Sequence, residues 1–310
     1  MTADLLLARR ERVLDAMAAA GIDVLVLGRQ DNAGYACGMR RLWTAGTRPF
    51  GAGCIVVGAT ARIHALSSWE AGIEPPMTFD DLYPLTWNPR IMAASMGSID
   101  GLAEAGRIGV DELTPSFRRA VANFSPEAEI VPADDLMAGV RRRKLPEEVE
   151  AIARACAAAW AGVDAVLDAP AGTDSAAPAI EALAGMAVTI PSSGVQVECH
   201  GEGLAIDIGV IYDLYEGGVG GVFVDGLRSG SSALVDACRA GATHADLAGA
   251  ATGDWLVRGL GMGFERPVIG PLRGIGERLE AGMVLSVADG DRRDVVHITA
   301  EGPVVLSERL

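Results

Sequence analysis

The chain has 310 residues, half of them hydrophobic, which is enough for about two packed domains on the usual size scale. Its 26 Lys and Arg against 41 Asp and Glu leave a formal charge of −15, which argues against nucleic acid or an anionic membrane surface as a main partner. The five cysteines, Cys37, Cys54, Cys156, Cys199 and Cys238, are scattered without a Cys-x-x-Cys spacing, a pattern that fits a reducing, cytoplasmic compartment and gives neither a disulfide framework nor a zinc site.

In chain order, residues 5–20 read as an amphipathic helix ended by Gly21, with its basic residues placed wrongly for a secretory signal. Strands are expected at 24–27, 53–57 and 62–66, a helical stretch beginning at 100–104, a strand at 108–110, a short strand at Ile130 and Val131, and a helix over 133–142. Alternation of this kind predicts an α/β domain over 1–140. The basic run Arg141 to Lys144 reads as a solvated helix end, where cations suit the helix dipole. A second domain over 141–310 opens with a long helix over 147–167, and the stretch from Pro170 reads as a turn and cap for the next. A strand at 195–198, a hairpin from Leu204, and helices over 231–239 and 245–256 are expected to follow. No apolar run reaches transmembrane length.

The most informative segment is LAIDIGVIYDLYEGGVGGVF, residues 204–223, an apolar β-branched run with one acid, Asp207, inside it. A carboxylate there is costly to bury without a partner. On its own it reads either as a strand-end Asp held by backbone amides or as a site carboxylate.

Five blocks in order resemble the superfamily of creatinase, Xaa-Pro aminopeptidase and methionine aminopeptidase. DNAGYACGMR (31–40) is similar to the Asn-x-x-Tyr-x-x-Gly signature of the creatinase-type N-terminal domain, and KLPEE (144–148) to the Lys-x-Pro-x-Glu that opens the catalytic domain. The hairpin resembles the metal-binding hairpin. LEAGMVLSVADG (279–290) and DVVHITAEGPVVL (294–306) resemble the two C-terminal blocks. The resemblance implies an α+β chain: a creatinase-like α/β domain followed by a shortened pita-bread domain, with a curved antiparallel sheet and outer helices. The shortfall falls between Ile190 and Gly203.

The resemblance also implies a dinuclear site of two Asp, one His and two Glu, hard ligands suited to divalent ions. Carried over by position, Asp207 matches the first Asp, Gly218 the second, Met262 the His, Ala288 the first Glu and Arg293 the second, while Ile269 falls at a substrate-side His. A shift of one residue would instead bring Asp294 into the last place. With one ligand of five retained, or two, the expectation is no metal and no other cofactor.

The residual chemistry expected is that of creatinase, which keeps the fold without metal. His200 is the candidate base, because its charge can change near neutral pH, with Asp207 as a second catalytic group. Cys199 reads as a packed residue, because adjacent strand residues face opposite ways. Glu198 and Glu216 are candidate substrate contacts, the latter also readable, like Asp213, as a solvated turn charge. Arg40, Arg41, Trp43 and Arg48 form a set able to clamp a carboxylate, with Arg266 and Arg293 as further cations for the pocket. His244 reads as a surface residue at a helix start, and His297 as a core residue with one hydrogen bond. The reading is a metal-independent, creatinase-like enzyme that hydrolyses, eliminates or rearranges a small amino-acid-derived or carboxylate-bearing molecule. The alternative is an inactive pseudo-peptidase that binds a ligand or protein. The resemblance implies a homodimer in which the N-terminal domain reaches the partner's site.

Overall fold

The computed structural model describes residues 2–38, 53–66, 77–83, 88–111, 119, 125–170, 175–191, 193–228 and 232–309. The chain folds as two compact units, Met1–Val140 and Arg141–Leu310.

The first unit begins with α1 (Ala3–Ala20), where Thr2 Oγ1 accepts the Leu5 N–H and Gly21 ends the helix at φ 62°, a left-handed conformation glycine adopts without strain. It continues through β1 (Val24–Leu27), α2 (Gln30–Cys37), β2 (Cys54–Val57), β3 (Arg62–Leu66), β4 (Leu82–Tyr83), α3 (Pro89–Gly97), β5 (Arg107–Val110), β6 (Glu129–Pro132) and α4 (Asp134–Arg142). The six strands lie in the order β4-β3-β2-β1-β5-β6. All four residues of β1 are buried, as a strand covered on both faces requires. One face, with Val24, Val26, Ile55, Val57, Ile108 and Val110, packs against Met96, Ile99 and Leu102.

The helix expected to begin at 100–104 is instead α3, eleven residues earlier by its first residue (100 − 89 = 11). Asn88 caps it by accepting the Arg90 N–H at 3.0 Å, Pro89 sets its first turn, and Gly101 at φ 83° keeps 100–104 in a turn. Residues 31–37 of the DNAGYACGMR block form most of α2, which Gly38 ends at φ 72°. Its Asn32 donates to the buried Asp111 carboxylate at 2.8 Å, and the Gly28 and Arg29 amides bond the same group at 2.5 and 3.1 Å. Burial raises Asp111 to about 6 in spite of these hydrogen bonds, which act to lower it.

The second unit comprises α5 (Pro146–Leu167), α6 (Ala177–Ala184), β7 (Val195–His200), β8 (Gly203–Tyr212), β9 (Tyr215–Val224), β10 (Leu227–Arg228), α7 (Ala233–Ala237), α8 (His244–Ala250), β11 (Trp255–Gly261), β12 (Gly263–Ile269), β13 (Val284–Asp289), β14 (Arg292–Ile298) and β15 (Pro303–Val305). The nine strands are antiparallel, in the order β12-β11-β13-β14-β9-β8-β7, with β10 on β9 and β15 on β14. The helix expected over 245–256 stops at Ala250, and Trp255 already belongs to β11, where alternating burial in WLVRGLG follows the strand period. The helix expected over 231–239 shortens to α7.

The KLPEE block is a structural joint. Glu148 is fully buried, accepts the Leu145 N–H at 2.7 Å to cap α5, and accepts the Tyr215 hydroxyl at 2.5 Å, so the helix start is bonded to the start of β9. The basic run beside it is not simply a solvated helix end. Arg141 and Lys144 are buried, and donate to the two oxygens of Glu265 at 2.6 and 2.7 Å. Burial would raise the Glu265 carboxyl, but the two cations outweigh it and hold it below its ordinary value.

Helix α5 seats on one face of the sheet, where Ala155, Ala159 and Val163 pack with Ile206, Ile208, Val210, Val219 and Phe223. The approach is close: a Cβ on Gly217 would lie 2.5 Å from Ala155 Cβ and 2.8 Å from the Ile152 carbonyl. The β8–β9 hairpin turns through Asp213 and Leu214, both at positive φ (50° and 77°), the geometry of a two-residue primed turn.

Candidate functional site

Strand pairing sets which side chains share the sheet face opposite α5. Asp207 stands opposite Gly220, and Gly220 in turn opposite Arg293, so β8, β9 and β14 bring these three positions into line. Ala288 lies opposite Arg293, and Leu256 opposite Ala288, which extends the row to β11. The positions that the resemblance assigns to the first Asp, the first Glu and the second Glu thus meet on one face.

Arg293 spans this row. Its Nε donates to Asp207 Oδ1 at 2.9 Å, its Nη2 bonds the same oxygen, and Nη2 also donates to the Ile208 carbonyl at 3.0 Å. Two glycines open the space for it. A Cβ on Gly218 would lie 2.8 Å from both terminal nitrogens of Arg293, and one on Gly220 would lie 3.0 Å from Asp207 Oδ1. Absence of a side chain at 218 and presence of a guanidinium at 293 are therefore one arrangement, because an Asp at 218 and Arg293 in this pose exclude each other sterically.

The residue next to Arg293 faces the other way. Asp294 is buried and accepts from Arg228 Nη1 at 2.8 Å, Arg292 Nε at 2.7 Å and Ser307 Oγ at 3.0 Å. The alternative register, with Asp294 beside Asp207, is ruled out by this alternation.

A second cation–carboxylate pair lies on the Asp207 face. Glu216 accepts a bond from Arg258 Nη2, and the Arg258 guanidinium lies 5.1 Å from the Phe264 ring centroid. Glu216 is thus a half-buried partner rather than a solvated turn charge. Arg258 was not singled out in the sequence, where the helix expected over 245–256 overran the start of β11; the period-two pattern around it was the available signal.

His200 ends β7 and is 56% exposed. It shares the Asp207 face with Glu198, since Gln196 pairs with Asp207 and alternate residues follow. His200 pairs with Gly203, however, four residues from Asp207, or about 13 Å along the strand at about 3.3 Å per residue. It lies beside Asp291, with Nε2 and Oδ2 3.8 Å apart. Sequence reasoning did not single out Asp291. The expectation that His200 and Asp207 act together is not met by this geometry. Glu198 is exposed, and Cys199 is on the opposite face but exposed rather than packed.

Met262 sits in the β11–β12 turn with its N–H bonded to Glu265, and Ile269 is buried in the apolar cluster with Val257, Leu285 and Met283. Arg266 is exposed on β12. His244 begins α8, where its Nε2 lies 3.0 Å from the Gly270 carbonyl and its ring is 5.6 Å from Trp255. His297 is half-buried between Val284 and Val304, and burial lowers its pKa. Arg40, Arg41, Trp43 and Arg48 lie outside the described residues.

The donor set does not fit a pair of divalent ions. Asp207 is bonded to a cation, the other positions assigned to ligands hold Gly218, Met262, Ala288 and Arg293, and no group of three or more His, Cys, Asp or Glu able to hold a metal ion comes together among the described residues. No described helix is long and apolar enough to cross a membrane.

Comparison with known proteins agrees with this architecture. Residues 9–143 match the Creatinase/Prolidase N-terminal domain. The prolidase from Pyrococcus horikoshii OT3 superposes with a TM-score of 0.72 at 16% identity, over 98% of this chain and 99% of that one. A Xaa-Pro dipeptidase from Bacillus anthracis gives 0.68 at 18% identity, over 98% of both chains. Dipeptidase PepE from Mycobacterium ulcerans gives 0.67 at 20% identity, over 100% of this chain and 97% of that one. No curated protein sequence gives a significant match. Residues 9–143 are therefore similar to the creatinase/prolidase N-terminal domain, and the chain as a whole shares the two-domain fold of these prolidase and dipeptidase structures.

Proposed function

We propose that this chain is a metal-independent member of the creatinase/aminopeptidase P superfamily, and that it binds a small carboxylate-bearing or amino-acid-derived ligand, or a protein, without metal-assisted peptide hydrolysis. The observation that carries this reading is the Arg293–Asp207 pair lying over the space left by Gly218. A fixed guanidinium repels a divalent ion at short range and already satisfies the carboxylate that would hold one. A homodimer is part of the proposal, to be checked by sedimentation.

The test is metal retention. After incubation with Mn²⁺, Co²⁺ or Zn²⁺ and dialysis, the protein is expected to retain no stoichiometric ion by plasma mass spectrometry, with an unchanged melting temperature. About two ions retained per chain, together with hydrolysis of Xaa-Pro dipeptides, would overturn the proposal.

One observation favours a second reading, in which the chain is a metal-independent enzyme of creatinase type. His200 shares the Asp207 face and has a carboxylate, Asp291, 3.8 Å from its ring. A carboxylate beside an imidazole can orient the ring for proton transfer. A screen of amino-acid derivatives by mass spectrometry, repeated with His200→Ala, decides between the readings: turnover lost in the variant establishes the enzyme, and no turnover by either protein leaves the binding module.

A further inference from the structure

The two thiols nearest the ends of the Arg- and Trp-bearing segment are in contact. Cys37 is the last residue of α2 and Cys54 the first of β2, and both are fully buried. Their side chains hydrogen-bond to each other, and Cys37 Sγ also donates to the Ala33 carbonyl at 2.9 Å. The helix lies tightly on the strand start here, for a Cβ on Gly53 would be 3.1 Å from Ala33 Cβ. Arg10 is the nearby cation. It is buried, its Nε donates to the Ala36 carbonyl at 3.4 Å, and its Nη2 has no hydrogen-bond partner among the described residues. Arg10 acts to lower the Cys54 thiol, but less than the Cys37 hydrogen bond and burial raise it.

We propose that Cys37 and Cys54 form a redox pair that closes to a reversible disulfide, with a small-molecule disulfide such as oxidised glutathione as oxidant. In the first step one cysteine loses its proton and its thiolate attacks the oxidant, forming a mixed disulfide and releasing one glutathione thiolate. In the second, the other cysteine thiolate attacks the protein sulfur of that mixed disulfide and releases the second glutathione. Two S–H bonds and the oxidant's S–S bond are broken, one protein S–S bond forms, and the two electrons end on glutathione. The sulfurs must close from hydrogen-bond contact to about 2.0 Å.

The bond would close segment 38–53 into a ring whatever path that segment takes, and this segment contains Arg40, Arg41, Trp43 and Arg48. Restraint of the unfolded chain then raises stability. The Cys37 hydrogen bond and burial push the Cys54 thiol well above its ordinary value, so the closed protein reacts slowly and local opening sets the rate. The redox pair does not depend on the absence of metal.

The test uses the full chain carrying Cys199→Ser, which removes the exposed thiol and with it intermolecular bonding. Protein is equilibrated with oxidised glutathione, with and without urea below the unfolding transition, alkylated without reduction and digested with trypsin. The expected product is peptide 30–40 joined to peptide 42–62, lost on treatment with dithiothreitol, in a protein of higher melting temperature than the reduced form. With Cys54→Ser, Cys37 is expected to stop at the mixed disulfide and carry one glutathione. Alkylation of both Cys37 and Cys54 under both conditions, or a cross-link to Cys156 or Cys238 instead, would overturn the proposal whether or not the Cys54 variant folds.

Discussion

Two ionic clusters in the C-terminal unit use the same chemistry in different surroundings. At its opening, Glu265 (8% exposed) is enclosed with Arg141 (6%) and Lys144 (3%). On the sheet face, Arg293 (16%) meets an Asp207 that is 47% exposed. In the first, removal of one member strands a charge where water does not reach it. In the second, water takes over solvation of Asp207, and the pair adds little to stability. The difference separates a fastening from a replacement. Arg141, Lys144 and Glu265 hold the start of the domain to β12, whereas Arg293 chiefly determines what else can enter the space above Asp207.

The strongest challenge to this contrast is Glu265→Ala, expected to cost about 3–5 kcal/mol in urea unfolding, as breaking a buried ion pair does. A cost under about 1 kcal/mol would make the two clusters alike. The pH dependence sharpens the point. Because Glu265 is held below its ordinary 4.5 in the folded protein, its stabilising contribution is full above that value and is lost as the pH falls through the lowered folded value. The urea midpoint of the native sequence should fall steeply below about pH 4.5, and Glu265→Gln should flatten that part of the profile.

Gly218→Asp comes next. Its Cβ would meet Arg293 at 2.8 Å and the Ile208 carbonyl at 2.5 Å, so a loss of about 1–3 kcal/mol is expected, the usual range for overpacking. Adding Arg293→Ala should recover part of it, and a double-mutant cycle measures the coupling; strict additivity would show that position 218 is not kept small for Arg293. Arg293→Ala alone should cost no more than about 1 kcal/mol.

In the other unit the pH dependence has the reverse sign. Asp111 is raised from 3.8 to about 6, so folding favours its protonated form, and its contribution is full below 3.8 and lost as the pH rises through about 6. The Gly28 and Arg29 amide resonances should titrate with a midpoint near that value, and Asp111→Asn should remove the titration.

The fold was legible in the sequence because its strongest signals are local. Gly21 ends α1 where the sequence placed its stop, LVL-type runs mark central strands, and the block order carries the architecture. What failed was boundary placement where a helix former runs into a strand: Ala250 to Trp255 has no proline, and only the packing of Thr252 and Gly253 amides on Asp289, both at 3.0 Å, ends the helical course. At the site, the missing ligands were legible residue by residue, but their replacement was not. That Arg293 lies on Asp207, that Glu216 belongs to Arg258 and that His200 stands next to Asp291 depend on strand register across β7, β8, β9, β11 and β14, which connects residues up to 91 positions apart. Met262 and Ile269 illustrate the converse: alignment put them at the site, while chain reversal at the β11–β12 turn and burial in the apolar cluster take them elsewhere.

Gly217 works as a spacer of zero thickness between α5 and the hairpin strand β9. With the helix backbone resting almost directly on the strand, any tilt of α5 is passed to β9 without a cushion of side chains, and so to Gly218 and the guanidinium above it. Even an alanine at 217 would act as a shim, lifting the helix and shifting the row of Asp207, Gly220 and Arg293 from a distance, though it touches none of them. The geometry of the polar face is in this sense tuned from behind.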